Sequence, residues 1–109
     1  MGKSQRVKGH SFERRTANLL KQFDPTAKRK LEYQEGSVDI ETQLPFAIQC
    51  KCQKQPSIFN AIEEAKLGKK KSNKLWALAI IKRDREEPIY AMPESDFIDL
   101  LKEWNEIRK

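Results

Sequence analysis

The chain has 109 residues, 35% charged and 38% apolar, and 22 Lys and Arg against 16 Asp and Glu give it a formal net charge of +6. That length suits one domain, and the charge content exceeds that of an average globular domain. The longest apolar run, Leu75 to Ile81, falls far short of the ~20 residues a membrane-spanning helix needs, and no signal-peptide pattern opens the chain. Membrane-spanning and secreted classes are therefore set aside, and no membrane partner is expected.

Residues 1–10 are polar and basic and are expected to form a mobile arm. A helix is expected from Ser11 to Phe23, with Ser11 as N-cap and Phe12, Thr16, Leu19, Leu20 and Phe23 as its inward stripe. Pro25 ends it. Lys28 to Tyr33 suits a short strand, Gln34 to Ser37 a turn, and Val38 to Glu41 a second strand. After a turn at Gln43 to Pro45, Phe46 to Cys52 forms a third strand. Ser57 caps a second helix that Gly68 closes, with Ile58, Ile62 and Ala65 as its apolar face.

A loop from Lys69 to Lys74 then leads into Leu75 to Ile81, whose unbroken apolar character suits a strand covered on both faces. A turn over Asp84 to Pro88 precedes a short strand, Ile89 to Met92. The last helix follows Pro93, with Phe97, Leu100, Leu101, Trp104 and Ile107 along one side. This order predicts a single α/β domain over residues 1–109, with a central mixed five-stranded sheet flanked by helices.

Only Cys50, Cys52 and His10 could serve as sulfur or imidazole ligands, one short of the usual four-ligand zinc site. The cysteines, two apart on a strand, read as buried free thiols and suit a reducing compartment, the cytoplasm. His10 has no neighbour that would complete a nucleophilic triad, so serine and cysteine hydrolase readings lack support.

The charge is segregated. Residues 1–15 sum to +4, residues 66–85 to +7, and residues 86–109 to −4. Two basic segments suit a phosphate backbone, which binds Lys and Arg by counterion release. A merely solvated lysine loop is equally compatible with composition.

The chemistry concentrates in Ser37-Val38-Asp39-Ile40 and Ala47-Ile48-Gln49-Cys50-Lys51-Cys52. On a strand, Gln49 and Lys51 point one way while Ile48, Cys50 and Cys52 point the other. If the two strands pair through the turn at Pro45, Asp39, Gln49 and Lys51 converge. Glu13, at the border of the first helix's apolar stripe, can add a second carboxylate. Oxygen ligands of this kind suit Mg²⁺ or Mn²⁺, and a nearby lysine can stabilise charge developing on a phosphate. On spacing alone, Asp39 as a turn residue and Gln49 and Lys51 as a solvated strand face explain the pattern as well.

Lys8-Gly9-His10-Ser11-Phe12-Glu13-Arg14-Arg15, followed by a helix, resembles the N-terminal motif of archaeal-type Holliday junction resolvases, members of the PD-(D/E)xK nuclease superfamily. Gly36-Ser37-Val38-Asp39 resembles their loop and metal-binding aspartate, and Ile48-Gln49-Cys50-Lys51 their catalytic strand. The likeness covers roughly residues 6–92. It implies a restriction-endonuclease-like core and a divalent-metal-dependent endonuclease acting as a homodimer on four-way DNA junctions, without a small-molecule cofactor. It also implies roles: Glu13, Asp39, Gln49 and Lys51 as catalytic residues, with Asp39, Gln49, Glu13 and the Cys50 carbonyl at Mg²⁺ or Mn²⁺. Ser37, Arg14 and Arg15 would meet the DNA, joined by the basic side chains of Lys3, Arg6, Lys8, Lys69, Lys70 and Lys71.

One position departs from the family pattern. The strand carries neutral Gln49 where the family has a carboxylate, which should weaken the hold on a hard dication. Three readings stay open: a natural active branch, an engineered inactivating change, or a fold that binds DNA structure without cutting it. The substrate could also be another branched or duplex DNA. For a dimer, the candidate surfaces are Ile89, Tyr90 and Met92 on the late strand, or Phe97, Leu101 and Trp104 on the last helix, whose apolar side equally suits packing on its own sheet.

Overall fold

The computed structural model of the chain describes residues 2–30 and 38–108. Along it run α1 (Gly2–Leu20), β1 (Lys28–Arg29), β2 (Ile40–Glu41), β3 (Phe46–Cys52), α2 (Ile58–Ser72), β4 (Trp76–Lys82), β5 (Ile89–Ala91) and α3 (Glu94–Arg108). Their order is the one expected. The strands form two small sheets: β1 with β2, antiparallel, and β3–β4–β5, in which β4 runs parallel to β3 and antiparallel to β5. A backbone bond from Asp39 N–H to the Ile48 carbonyl, 2.9 Å long, bridges them. Among the described residues the protein is thus α/β, with three helices and these two ladders.

The two faces of β3–β4–β5 differ in bulk. Ile48 lies beside Leu78 and Cys50 beside Ile80, and Phe12 and Ala17 of α1 pack with them, together with Ile40. Phe46 and Trp76 extend this side with ring centroids 5.3 Å apart. The opposite face is small, because Ala47 pairs with Ala77 and Gln49 with Ala79. Ala61, Ala65 and Gly68 of α2 are all buried at this seam. Short side chains on both partners let the helix axis approach the sheet closely. Trp76 to Ile81 are all buried, as the unbroken apolar run requires.

Three helix boundaries and faces differ from expectation. First, α1 begins at Gly2, well before Ser11, since the Lys, Gln and Arg of the leading segment are good helix formers. Lys8 in that extension is ion-paired to Asp84 in the β4–β5 turn. Second, α2 does not stop at Gly68. Ser57 caps its start as expected, its hydroxyl accepting from the Asn60 N–H at 3.2 Å. Its end, however, is Asn73 in the left-handed conformation (φ 61°), donating to the Lys69 carbonyl at 3.0 Å. Lys69, Lys70 and Lys71 therefore form its last turn, where cations offset the negative end of the helix dipole. The sheet-facing stripe is Ala61, Ala65 and Gly68, leaving Ile58 exposed.

Third, α3 faces the sheet with carboxylates. Buried Asp96 accepts the Ala77 N–H at 2.9 Å and the Lys69 ammonium at 2.7 Å, and Asp99 accepts Trp76 Nε1 at 2.9 Å. Deleting the Asp96 carboxylate would leave a buried N–H bare, at a cost of about 1–3 kcal/mol. Phe97, Leu101, Trp104 and Ile107 are consequently exposed. No helix among the described residues is long and apolar enough to cross a membrane.

A second buried carboxylate closes the turn between α1 and β1. Asp24 accepts the Thr26 N–H at 3.0 Å, the Thr26 hydroxyl at 2.6 Å, the Thr42 hydroxyl at 2.5 Å and the Gln43 N–H at 2.7 Å. These donors, the Thr26 hydroxyl foremost, hold its carboxyl far below the ordinary aspartate value of 3.8. A carboxyl shifted down stabilises the fold above its unfolded-state value and loses that contribution as pH falls through the acid range. Asp24→Asn should therefore melt at a lower temperature than the parent at pH 7. Thermal unfolding followed by circular dichroism should show the gap closing as pH drops below the ordinary aspartate value.

Candidate active site

Successive residues of β3 face alternate helices, so Cys50 looks toward α1 while Gln49 and Lys51 look toward α2. Asp39 is fixed between two strands by its own backbone. Its N–H bonds Ile48 of β3 at 2.9 Å, and its carbonyl accepts the Lys30 N–H at 2.8 Å. The side chain then lies at the sheet edge, with Oδ2 accepting the Cys50 N–H at 2.8 Å. The expected pairing of these strands is thus reduced to one backbone bond, since β2 itself pairs with β1, and that bond places Asp39 beside Cys50.

Burial is the largest influence on Asp39 and pushes its carboxyl above the usual carboxylate range. The Cys50 N–H and the Lys51 and Lys30 charges pull against that shift, whereas Glu64 adds to it. The Lys51 ammonium lies 3.1 Å from Glu64 Oε1, with the lysine side chain about three-quarters covered. Glu64 was invisible to the apolar pattern, because the sheet-facing stripe of α2 is made of alanine and glycine. Its signal was the spacing of Ala61, Ala65 and Gly68: Glu64 sits three residues after the first and four before the last, on the inward face.

Glu13 lies on the α1 side of the same strand edge. Its carboxylate is 3.6 Å from the Arg29 guanidinium, and both side chains are mostly covered. Burial first, then the Asp39 and Glu13 charges, push the Cys50 thiol far above its ordinary value. Cys50 therefore stays a neutral thiol and offers the site only its backbone. Gln49 is half-buried on the α2 side. Arg29 is the second residue that sequence reasoning missed; its signal was a basic residue in the strand next to the first helix.

The expected DNA-contacting residues are dispersed. Lys3 and Arg6 lie on the first turns of α1, and Arg14 and Arg15 are exposed farther along it. The Arg15 guanidinium stands 5.9 Å from the Phe12 ring centre. Lys8 is engaged by Asp84 and Lys69 by Asp96, whereas Lys70 and Lys71 are exposed. Ser37 lies outside the described residues. Lys69, Lys70 and Lys74 line a cleft of about 410 Å³ between α2 and α3. Lys74 also bonds the Thr42 and Leu44 carbonyls, which places that cleft at the opposite end of β3 from Lys51.

Among the described residues no group of three or more His, Cys, Asp or Glu could hold a metal ion. A three-carboxylate cage is therefore not assembled. What the edge offers is one half-buried carboxylate, Asp39, held on the Cys50 backbone, with Gln49, the preceding residue of β3, as a further oxygen donor. Mg²⁺ commonly takes only one or two carboxylates and keeps several of its waters. The donor set fits that mode. The chain matches no protein-family model, no curated protein and no solved structure.

An aspartate whose folded-state value is raised destabilises the protein once pH exceeds its unfolded value, because ionising it means charging a desolvated group. Asp39→Asn removes that cost, and its amide oxygen can still accept the Cys50 N–H. In metal-free buffer at neutral pH the variant should unfold at a higher temperature than the parent. Calorimetry checks this, and the advantage should vanish below the ordinary aspartate value.

Proposed function

We propose that the chain is a divalent-metal-dependent endodeoxyribonuclease that resolves four-way DNA junctions by paired phosphodiester hydrolysis. The observation that carries this reading is the half-buried Asp39 carboxylate on the Cys50 N–H, with the charge of Lys51 acting on it. The motif resemblance around Glu13, Asp39 and Gln49 to Lys51 supports the same reading. So does the backbone bond from Asp39 to Ile48, on which the two ladders are read as one mixed five-stranded, restriction-endonuclease-like sheet.

The division of labour follows from the side chains. Asp39 anchors the ion, with Gln49 and the Cys50 carbonyl as neutral ligands and Glu13 approaching from α1. Mg²⁺ or Mn²⁺, when bound, supplies Lewis acidity toward the phosphodiester and an activated water. Lys51 stabilises negative charge that develops on the phosphate. Arg14, Arg15, Lys70 and Lys71 hold the backbone electrostatically. Two symmetric strands require two sites, hence a two-fold dimer in the cytoplasm. Exposed Ile89, Tyr90, Phe97, Leu101 and Trp104 provide its apolar surface.

A second reading rests on Gln49: a non-catalytic DNA-binding module of the same fold, lacking the charge the reaction needs. Cleavage of a labelled four-way junction in Mg²⁺ or Mn²⁺, in competition with a linear duplex, separates the two. The enzyme reading expects paired symmetric nicks, with Asp39→Ala silent and Lys51→Ala slower by about 10²-fold or more. Absence of nicks at any metal concentration, with a large gain in Gln49→Glu, would establish the second reading. Equal cutting of junction and duplex would point to a nuclease for other DNA.

A further inference from the structure

The metal-site reading leaves a charge deficit. Asp39 is a lone desolvated carboxylate, and the strand position two residues before Lys51 holds a neutral amide. A dication beside one carboxylate and neutral oxygens is bound weakly, because hard cations favour anionic oxygens. Glu13 faces this edge from α1, but its carboxylate already has the Arg29 guanidinium beside it. Glu64 enters from the other side.

The fold delivers Glu64 there for a physical reason. Ala47, Ala77 and Ala79 of the sheet meet Ala61, Ala65 and Gly68, so α2 sits close against the face that carries Gln49 and Lys51. Glu64, on that inward side, reaches the Lys51 ammonium at 3.1 Å. Its side chain keeps 43% of its exposure, which leaves it room to swing. We propose that Glu64 of α2, and not a residue of β3, supplies the second negative charge of the centre that Asp39 anchors. It thereby replaces the charge that Gln49 lacks.

This inference rests on the reading of Asp39 as a metal anchor. In the metal-free protein Glu64 neutralises Lys51, and its charge also raises Asp39. A dication held by Asp39 would offset the repulsion between Asp39 and Glu64 and compete with Lys51 for the Glu64 carboxylate, leaving the ammonium available to a phosphate. Asp39 and Glu64 would give the centre two carboxylates, and Gln49 a neutral amide. They also match the one or two carboxylates that Mg²⁺ usually takes.

The test is isothermal titration of Mn²⁺ into the full metal-free chain, without DNA. Variants Glu64→Gln, Gln49→Glu, the double Gln49→Glu/Glu64→Gln, Asp39→Asn and the control Glu63→Gln are first checked for folding by circular dichroism. Glu63 is solvent-exposed and pairs with Lys66, so its variant should bind as the parent does. Glu64→Gln should weaken Mn²⁺ binding by about tenfold or more, since one full charge leaves the ligand sphere. The double variant should return affinity to within a few-fold of the parent, because it moves the charge from helix to strand. Parent-like affinity in Glu64→Gln, with Asp39→Asn impaired, would overturn the proposal and leave the metal site standing. No Mn²⁺ binding by the parent, or none dependent on Asp39, would overturn the metal reading itself.

Discussion

A carboxylate removed from water at the edge of a sheet must be compensated, and this fold is arranged around that constraint at Asp39. Its backbone is clamped between Lys30 and Ile48, which holds the residue at the edge of β3. One oxygen accepts the Cys50 N–H, which a strand edge would otherwise leave to water. Lys51 and Lys30 then offset part of the remaining burial penalty. The net effect is still a raised carboxyl, so the protein folds around a group that costs stability when ionised. On the proposed function, a divalent cation held at Asp39 would offset that cost.

The two faces of the sheet divide the supporting roles. Large side chains, Phe12, Ile48, Leu78 and Ile80, fill the α1 side and provide most of the buried apolar volume. Alanine and glycine line most of the α2 side, joined by buried Ile81 and partly buried Ile62, and the helix comes near. That exchange of bulk for proximity brings a glutamate from α2 within reach of Lys51. On the α1 side Glu13 and Arg29 mirror the Lys51–Glu64 pair, so each flank of the strand edge carries one partly covered ion pair. Truncating one member of such a pair costs more than the pair contributes, since the survivor keeps its desolvation penalty.

Local periodicity made β3, β4, the Ser57 cap and the element order legible in the sequence, because each is written in neighbouring residues. Asp39 and Lys51 were legible through motif resemblance and the two-residue period of a strand. What escaped depended on tertiary partners. The early start of α1 goes with Lys8 meeting Asp84, and the late end of α2 goes with Lys69 meeting Asp96. Apolar spacing left the inward face of α3 open, because its two anchors are carboxylates, Asp96 and Asp99, which bond a strand N–H and an indole. Glu64 was missed because a small-residue seam carries almost no hydrophobic signal.

The formal +6 of the chain conceals this local balance. Several cations are consumed internally, Lys8 by Asp84, Lys69 by Asp96 and Lys74 by two backbone carbonyls, while Arg14, Arg15, Lys70 and Lys71 remain exposed. The central claim is that Asp39 is buried in order to hold a cation. Crystals grown with Mn²⁺ and measured for its anomalous scattering address it most directly. The account predicts a manganese peak within bonding distance of the Asp39 carboxylate. Manganese found only on exposed acidic groups such as Glu86 and Glu87, with none at Asp39, would contradict it.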